Sequence, residues 1–190
     1  MCLEGYAFRL RPVTDQDAGF VVELRNTPGL NQYLHAGATG VEEQLAWQAR
    51  YYDRTDSYYF MVERRTNEVA EGVFGLYNVD RNTATAEWGS WILRPDSLAA
   101  VESVYLLYRI AFEQVGLQSV YCRTVAENRK VVSFHDSCGI TARRILPGHY
   151  EIRGKKYDAV EHRLELAVWS TVRTRLERLS QLTARRMNRG

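Results

Sequence analysis

From Tyr58 onward the spacing of apolar residues changes from three and four residues to two, and this switch constrains the fold more than any other feature of the chain. The segments "YYFMVERR", "VAEGVFGLYNV" and "ATAEWGSWILRP" follow one another with turn residues "TNE" and "DRNT" between them. Side chains of a strand point alternately to two faces, so segments of this kind joined by short turns predict a three-stranded antiparallel meander. Directly after it, "SLAAVESVYLLYRIAFEQVG" returns to helical spacing for about five turns with a broad apolar face, and Gly116 is placed as its stop.

The flanking segments complete an order of elements. "YAFRLR" alternates as a half-buried strand ended by Pro12, and Thr14 with Asp17 reads as a capping box opening a helix over "AGFVVELRN". "NTPG" breaks that helix, and Thr39 with Glu42 reads as the cap of a second one, "VEEQLAWQARYYD". Beyond Gly116, "LQSVYCRTVA" is a strand, "ENRKVVSFHDSCG" a short helix ending on glycine, and the last strands form a hairpin around "RGKK". The predicted order is strand, two helices, three strands, helix, strand, helix, two strands, with no internal repeat and no linker.

A chain of 190 residues with 45% hydrophobic and 12% aromatic content fills one domain. Its 25 basic and 23 acidic residues leave a net charge of +2, too little for a nucleic-acid footprint over the whole surface. The N-terminus lacks the pattern of a secretory signal and no apolar run approaches the roughly 18 residues that span a bilayer, so a cytoplasmic protein without membrane contact is expected. Cys2, Cys122 and Cys138 match no zinc or redox spacing, which predicts reduced thiols and no metal site. Residues 167–190 differ in composition. Trp169, Val172, Leu176, Leu179 and Thr183 form one stripe and six arginines face the single acid Glu177, a basic amphipathic helix that packs on the 1–166 domain or at an interface, including that of a homodimer.

Three stretches carry a resemblance. "AEWGSWI", the helix "VESVYLLYRIAF" after it, and "VAENRKVVSFHDSCGI" with Asn128, Val131, His135 and Gly139 at fixed steps resemble the second half of the GNAT acyltransferase fold. The likeness extends over about residues 6 to 166, and "LRNTPGLNQYLH" resembles the stretch after the first helix in two of its groups, the nucleotide-amino-sugar N-acetyltransferases and the ribosomal-protein N-terminal acetyltransferases. It implies an α/β (α+β) fold with a central mixed, mostly antiparallel sheet of about seven strands flanked by helices, acetyl-CoA as acyl donor, and a primary amine of a small metabolite as acceptor.

The resemblance also assigns candidate residues. Two strands splay near Trp91, Ile92 and Leu93, where a pantetheine arm pairs with free backbone groups as an added strand. Amides at the next helix start, among Ser97, Leu98, Ala99, Ala100 and Val101, face a pyrophosphate. Ala100 fits the family pattern of Gly or Ala, whereas Leu98 stands where glycine is usual and restricts backbone angle and space. Asn128 is placed at the pantetheine and is equally a helix N-cap; Phe134 is most simply core. His135 stands where the family often carries a tyrosine that protonates the leaving thiolate, and Glu87 faces the cleft as base if Glu87, Gly89 and Trp91 share a face. Asn31, His35 and Tyr59 border the acceptor.

The expected activity is therefore acyl transfer from a CoA thioester to an amine such as that of a nucleotide-linked amino sugar. Other readings stay open on the residues alone. The missing glycine together with the arginine helix suits an aminoacyl-tRNA donor; a protein N-terminal amine is another acceptor; and a fold of this kind can bind a partner without catalysis.

Overall fold

A computed structural model of the chain describes residues 1–188. Eight strands form one sheet: β1 (Leu3–Glu4), β2 (Phe8–Pro12), β3 (Tyr58–Arg64), β4 (Ala70–Asp80), β5 (Thr85–Leu93), β6 (Ser119–Val125), β7 (Arg143–Ile152) and β8 (Lys155–Glu165), in the spatial order β1-β2-β3-β4-β5-β6-β8-β7. Every neighbouring pair is antiparallel except β5 with β6. The expected count was about seven; the addition is the two-residue β1, which pairs with β2 through Leu3↔Leu10 and is too short to show a period. Helices are α1 (Ala18–Asn26), α2 (Val41–Tyr52), α3 (Ala100–Arg109), α4 (Arg129–Ser137) and α5 (Leu166–Met187). Among the described residues no helix is long and apolar enough to cross a membrane.

The two faces of the sheet bury different side chains. Phe60, Val62, Phe74, Leu76, Ala86, Trp88 and Val120 form the main core with Leu106, Tyr108 and Ile110 from the α3 region and with Trp169, Val172 and Leu176 from α5. The Val, Leu, Ile and Phe side chains among these, once fully buried, each contribute about 1.5–3 kcal/mol. The opposite face carries Tyr59, Met61, Val73 and Ile92 against Val21 and Leu24 of α1. The open half of that second face, over β6, β8 and β7, holds the polar residues described below.

Local chemistry accounts for the helix ends. The Asp17 carboxylate accepts the Thr14 amide at 2.7 Å and its hydroxyl at 3.0 Å, closing the turn that feeds α1. At α2 the capping residue is Gly40 rather than Thr39, and Thr39 donates its amide and hydroxyl to Glu43, not Glu42, at 2.8 and 3.1 Å. The helical run after Ala100 does not stay α to Gly116: it widens into a π turn over Ile110–Gln114 before Gly116 at φ 79° ends it. The β7–β8 hairpin turns on Arg153 and Gly154, both at positive φ (52° and 76°), as a two-residue connection requires.

On α5 the buried stripe is Trp169, Val172, Leu176, Ser180 and Ala184, so it leaves the expected Leu179 and Thr183 half-buried. Four-residue steps from Leu176 continue on one side of a 3.6-residue helix, which brings Ser180 and Ala184 inward. The buried Ser180 hydroxyl is satisfied within the helix, donating to the Leu176 carbonyl at 2.8 Å. Among the α5 arginines, Arg173 pairs with Glu113 at 3.1 Å.

Candidate active site

The site begins where β5 and β6 separate. Their parallel pairing covers Thr85↔Ser119 to Trp88↔Cys122 and stops there, while β6 continues to pair with β8 as far as Val125↔Ala159. From Gly89 to Leu93 the β6 side of β5 is therefore left without a strand. A bulge marks the same place: Gly75 is opposite Gly89 and Val73 opposite Ile92, so Phe74 faces both Ser90 and Trp91. Ser90 takes φ 51°, a left-handed conformation that costs a non-glycine residue roughly 1–2 kcal/mol.

That bulge corrects the expected alternation. Glu87 and Gly89 share the α1 side of the sheet, but Trp91 is shifted to the other face, with its ring 5.9 Å from Trp88 and 5.1 Å from Phe134. The Trp91 Nε1–H is buried without a partner beside the opening. An unpaired strand edge and an unsatisfied buried donor are what a ligand with amide groups satisfies when it lies along the strand. Phe134 is half-buried on the far wall, so it borders the opening as well as the core. Ile92 is 4% exposed and packs against the α1 cluster, which leaves only its backbone for ligand contact.

Past Leu93 the chain turns toward α3. The Arg94 amide bonds to the Glu71 carbonyl at 2.8 Å, the Arg94 carbonyl accepts the Ser97 amide at 3.2 Å, and Asp96 takes the left-handed conformation at φ 61°. Leu98 does not adopt a positive φ, so no glycine is demanded there, and its side chain is 43% exposed. The Ala99 amide is already committed to the Ser97 hydroxyl at 3.2 Å, and Ala99 is fully buried. Ala100 and Val101 start the first helical turn, whose amides have no intrahelical acceptor and lie at the positive end of the helix dipole. Asn128 caps α4, accepting the Val131 amide at 3.5 Å.

Glu87 is 7% exposed and accepts from Arg123 Nη1 at 3.2 Å. Burial pushes its carboxyl above the usual range, Arg123 pulls it partly back, and nearby Glu161 adds to the rise. His135, expected as a proton donor, is sealed: it is 1% exposed, and its ring lies 5.4 Å from Trp88, 6.3 Å from Trp91 and 5.1 Å from His162. Its Nε2 is 3.7 Å from the Cys122 sulfur, and burial pushes its pKa down to about 3. An imidazole in this setting is neutral near pH 7, which removes the imidazolium that gives histidine its strength as an acid.

Glu87 shares its sheet face with a second set of groups, of which the sequence marked Tyr59 but not Arg25 or Tyr77. A cavity of about 130 Å³ is lined by Arg25, Trp47, Tyr51, Arg54, Ser57, Tyr58, Tyr59, Gly75, Tyr77 and Ser90. Tyr77 lies flat over two glycines, because a Cβ at Gly89 would collide with its hydroxyl and one at Gly75 would sit 3.2 Å from its ring. Trp47, Tyr51 and Tyr59 pack together with centroids 5.1 to 5.8 Å apart, and the Tyr51 hydroxyl is buried without a partner. Arg54 pairs with Asp56 at 3.0 Å, whereas Arg25 has no carboxylate partner among the described residues and reaches the His35 carbonyl at 3.4 Å. Of the expected acceptor residues, Tyr59 lines this cavity. His35 instead stacks edge-on against Tyr150 at 6.0 Å, and Tyr33 against Tyr157 at 6.2 Å, so their loop bridges to the β7–β8 hairpin. Asn31 lies in that loop, its carbonyl accepting the Leu34 amide at 3.2 Å.

A mixed sheet that opens between its one parallel pair, with a bulge on one lip and a helix start at its end, defines the GNAT acyltransferase fold. A family model described as an acetyltransferase (GNAT) domain matches residues 8–141, and the chain belongs to that family. The chain is similar to the solved structure of apo FdhC, a nucleotide-linked sugar GNAT, at 26% identity and a TM-score of 0.78, over 94% of this chain and 98% of that one. It is similar in fold to a spermidine N-acetyltransferase from Vibrio cholerae in complex with CoA and spermine, at 18% identity and a TM-score of 0.77, over 86% and 98% of the two chains. A GCN5-related N-acetyltransferase from Brucella melitensis likewise shares the fold, at 18% identity and a TM-score of 0.80, over 94% of this chain and 84% of that one. No curated protein sequence matches the chain.

Proposed function

We propose that the protein transfers an acetyl group from acetyl-CoA to a primary amine on an anionic small molecule, of the class of nucleotide-linked amino sugars. The observation that carries the donor half is the unpaired edge of β5 from Gly89 to Leu93, next to the first turn of α3. Backbone groups of that edge hold the pantetheine, and one of its N–H groups polarises the thioester carbonyl where negative charge develops. The amides of Ala100 and Val101 receive the pyrophosphate; with Leu98 turned outward, Ala99 spent on Ser97 and Asn128 spent on its own helix, binding rests on backbone rather than on a glycine pattern.

On the acceptor side, Glu87 takes the proton of the ammonium, directly or through water, from a position two residues and about 7 Å along β5 from Gly89. The freed amine attacks the thioester carbonyl, the new C–N bond forms, the C–S bond breaks, and the second proton of the attacking nitrogen passes to the departing CoA sulfur, which leaves as the thiol. His135 serves this step by packing against Trp88, Trp91 and Phe134 rather than by giving up a proton. The cavity lining favours an anionic acceptor over a polyamine, because among the described residues it includes no carboxylate and its Arg25, unlike Arg54, which pairs with Asp56, has no carboxylate partner. Likeness to the nucleotide-linked sugar GNAT points the same way.

The test is a thiol-release assay with acetyl-CoA and either a nucleoside-diphosphate amino sugar or spermidine, alongside calorimetric titration with CoA. Turnover with the amino sugar and little with spermidine is expected. Preferential turnover of spermidine overturns the acceptor assignment, and no binding of CoA overturns the donor assignment.

A further inference from the structure

On the open face of the sheet three guanidiniums converge on one carboxylate. Glu161 on β8 stands directly across from Arg123 on β6 and from Arg144 on β7. It accepts from Arg123 Nε at 3.0 Å, Arg144 Nε at 3.0 Å and Arg163 Nη2 at 3.3 Å. Burial alone would raise its pKa, but these three partners hold it below the usual carboxylate range, so it is ionised. Counting Glu87 on Arg123 as well, the cluster keeps one excess positive charge, and two whenever Glu87 is protonated.

The excess is held in a fixed geometry. Arg123 and Arg163 each lie 4.7 Å from the centre of the Tyr121 ring, and Arg163 also donates to Ser119 Oγ at 2.9 Å. A guanidinium carries five N–H donors, and one carboxylate cannot engage those of three. The outer donors of Arg144, whose side chain is 61% exposed, and of Arg163, 33% exposed, are open to solvent. Such pre-positioned guanidiniums bind a phosphate with little further loss of side-chain freedom. Tyr121 joins the cluster to the proposed base, being opposite Glu87 on one side and Arg163 on the other. Arg123 stands one strand from β5, which carries Glu87, Arg163 two strands and Arg144 three. The two exposed guanidiniums therefore lie roughly 10 and 14 Å across the sheet from that strand, a span that separates a diphosphate from an amine elsewhere on the same acceptor.

We infer that Arg144 and Arg163, held in place by Glu161 and Tyr121, bind a phosphate or diphosphate group of the acceptor while its amine lies near Glu87. This deepens the function proposed above and rests on this face being the acceptor side. The test is calorimetric titration of the full chain with inorganic pyrophosphate, with and without CoA because CoA carries a diphosphate of its own. Arg144→Gln and Arg163→Gln are each expected to weaken pyrophosphate binding at least about tenfold. Arg143→Gln is the control, since Arg143 pairs with Asp136 at 2.8 Å and stands opposite the buried His162. It is expected to leave binding unchanged, and CoA titrations are expected to be the same in all four proteins. Pyrophosphate binding that is absent, or indifferent to Arg144→Gln, overturns the inference; Arg144 is exposed enough that its loss does not threaten folding. Arginine-dependent pyrophosphate binding in a protein that does not bind CoA would support the anion site while removing the acyltransferase reading.

Discussion

Glu87 is the residue on which the proposed chemistry turns, and its environment makes a prediction about pH. Burial raises its carboxyl above the ordinary value of 4.5, so the base form is lost at a higher pH than for a free glutamate. Turnover is expected to rise with pH along an acid limb displaced upward from 4.5, and Glu87→Gln should lower turnover about 100-fold and abolish that limb while CoA affinity stays the same. Steady-state kinetics of the two proteins from pH 5 to 9 checks this, and an unchanged acid limb in the variant excludes Glu87 as the base. His135 yields a prediction of a different kind. Its folded pKa of about 3 is below the ordinary 6.5, so unfolded chains take up a proton that folded ones refuse. The stability that neutral His135 supports is complete above pH 6.5 and is lost as pH falls toward 3, by up to about 1.4 kcal/mol per pH unit. Burial lowers His162 in the same direction, while the raised Glu87 and Glu102 act in the opposite one, contributing stability at low pH that is lost as pH rises through their folded values. His135→Phe isolates one group: urea unfolding at pH 4, 5, 6 and 7 should show a shallower loss of stability on acidification than in the natural protein. Parallel curves would mean that His135 titrates normally in the folded state.

Elements were legible in the sequence wherever a period ran long enough to be read, and the site was less so because it depends on register. The meander, α3, α4 and the β7–β8 hairpin follow from two-residue and three-to-four-residue spacing and from glycines at their ends. The bulge at Ser90 does not, since whether Trp91 follows Glu87 to one face depends on its partners across the strand, Val73 and Gly75. For the same reason Tyr77 and Arg25 went unmarked: one is defined by lying over Gly75 and Gly89, the other by an α1 position that only tertiary packing brings to the cavity. His135 was visible as a motif position, but its burial was not. At α5 the stripe was found with its far end misplaced, and the structure makes its energetics testable. Trp169 is 5% exposed and lies 5.5 to 6.5 Å from the rings of Tyr105, Tyr108 and Phe112. Trp169→Ala should cost about 3–5 kcal/mol, measured by urea denaturation followed by circular dichroism, with one transition for the whole chain. Two separated transitions would mean that α5 folds independently of residues 1–166.

The whole molecule is a sheet in two parts. β1 to β5 and β6 to β8 meet through four paired positions, Thr85 to Trp88 with Ser119 to Cys122, and then part. Core residues of the α3 region and α5 pack across one face, and on the other the loop with Tyr33 and His35 reaches the distant hairpin. A donor lying along the free edge of β5 replaces the sheet contacts that end at Trp88, so it couples to the folding of both parts. Ligand that binds only the folded chain stabilises it by RT ln(1 + [L]/Kd), about 2.7 kcal/mol at a hundredfold excess over Kd. For a chain of this size each kcal/mol shifts the midpoint by roughly 2–4 °C, so CoA at that concentration should raise Tm by about 5–11 °C. Because the contacts are made at the opening, amide exchange should slow first in Gly89 to Leu93 and in the first turn of α3, and change least in β1 to β3, which lie at the far edge. Thermal melts at stepped CoA concentrations, with exchange measured at saturation, test both parts. A Tm that does not move with CoA would mean that the folded chain does not bind it, and protection that appears at β1 to β3 instead would place the donor elsewhere on the protein.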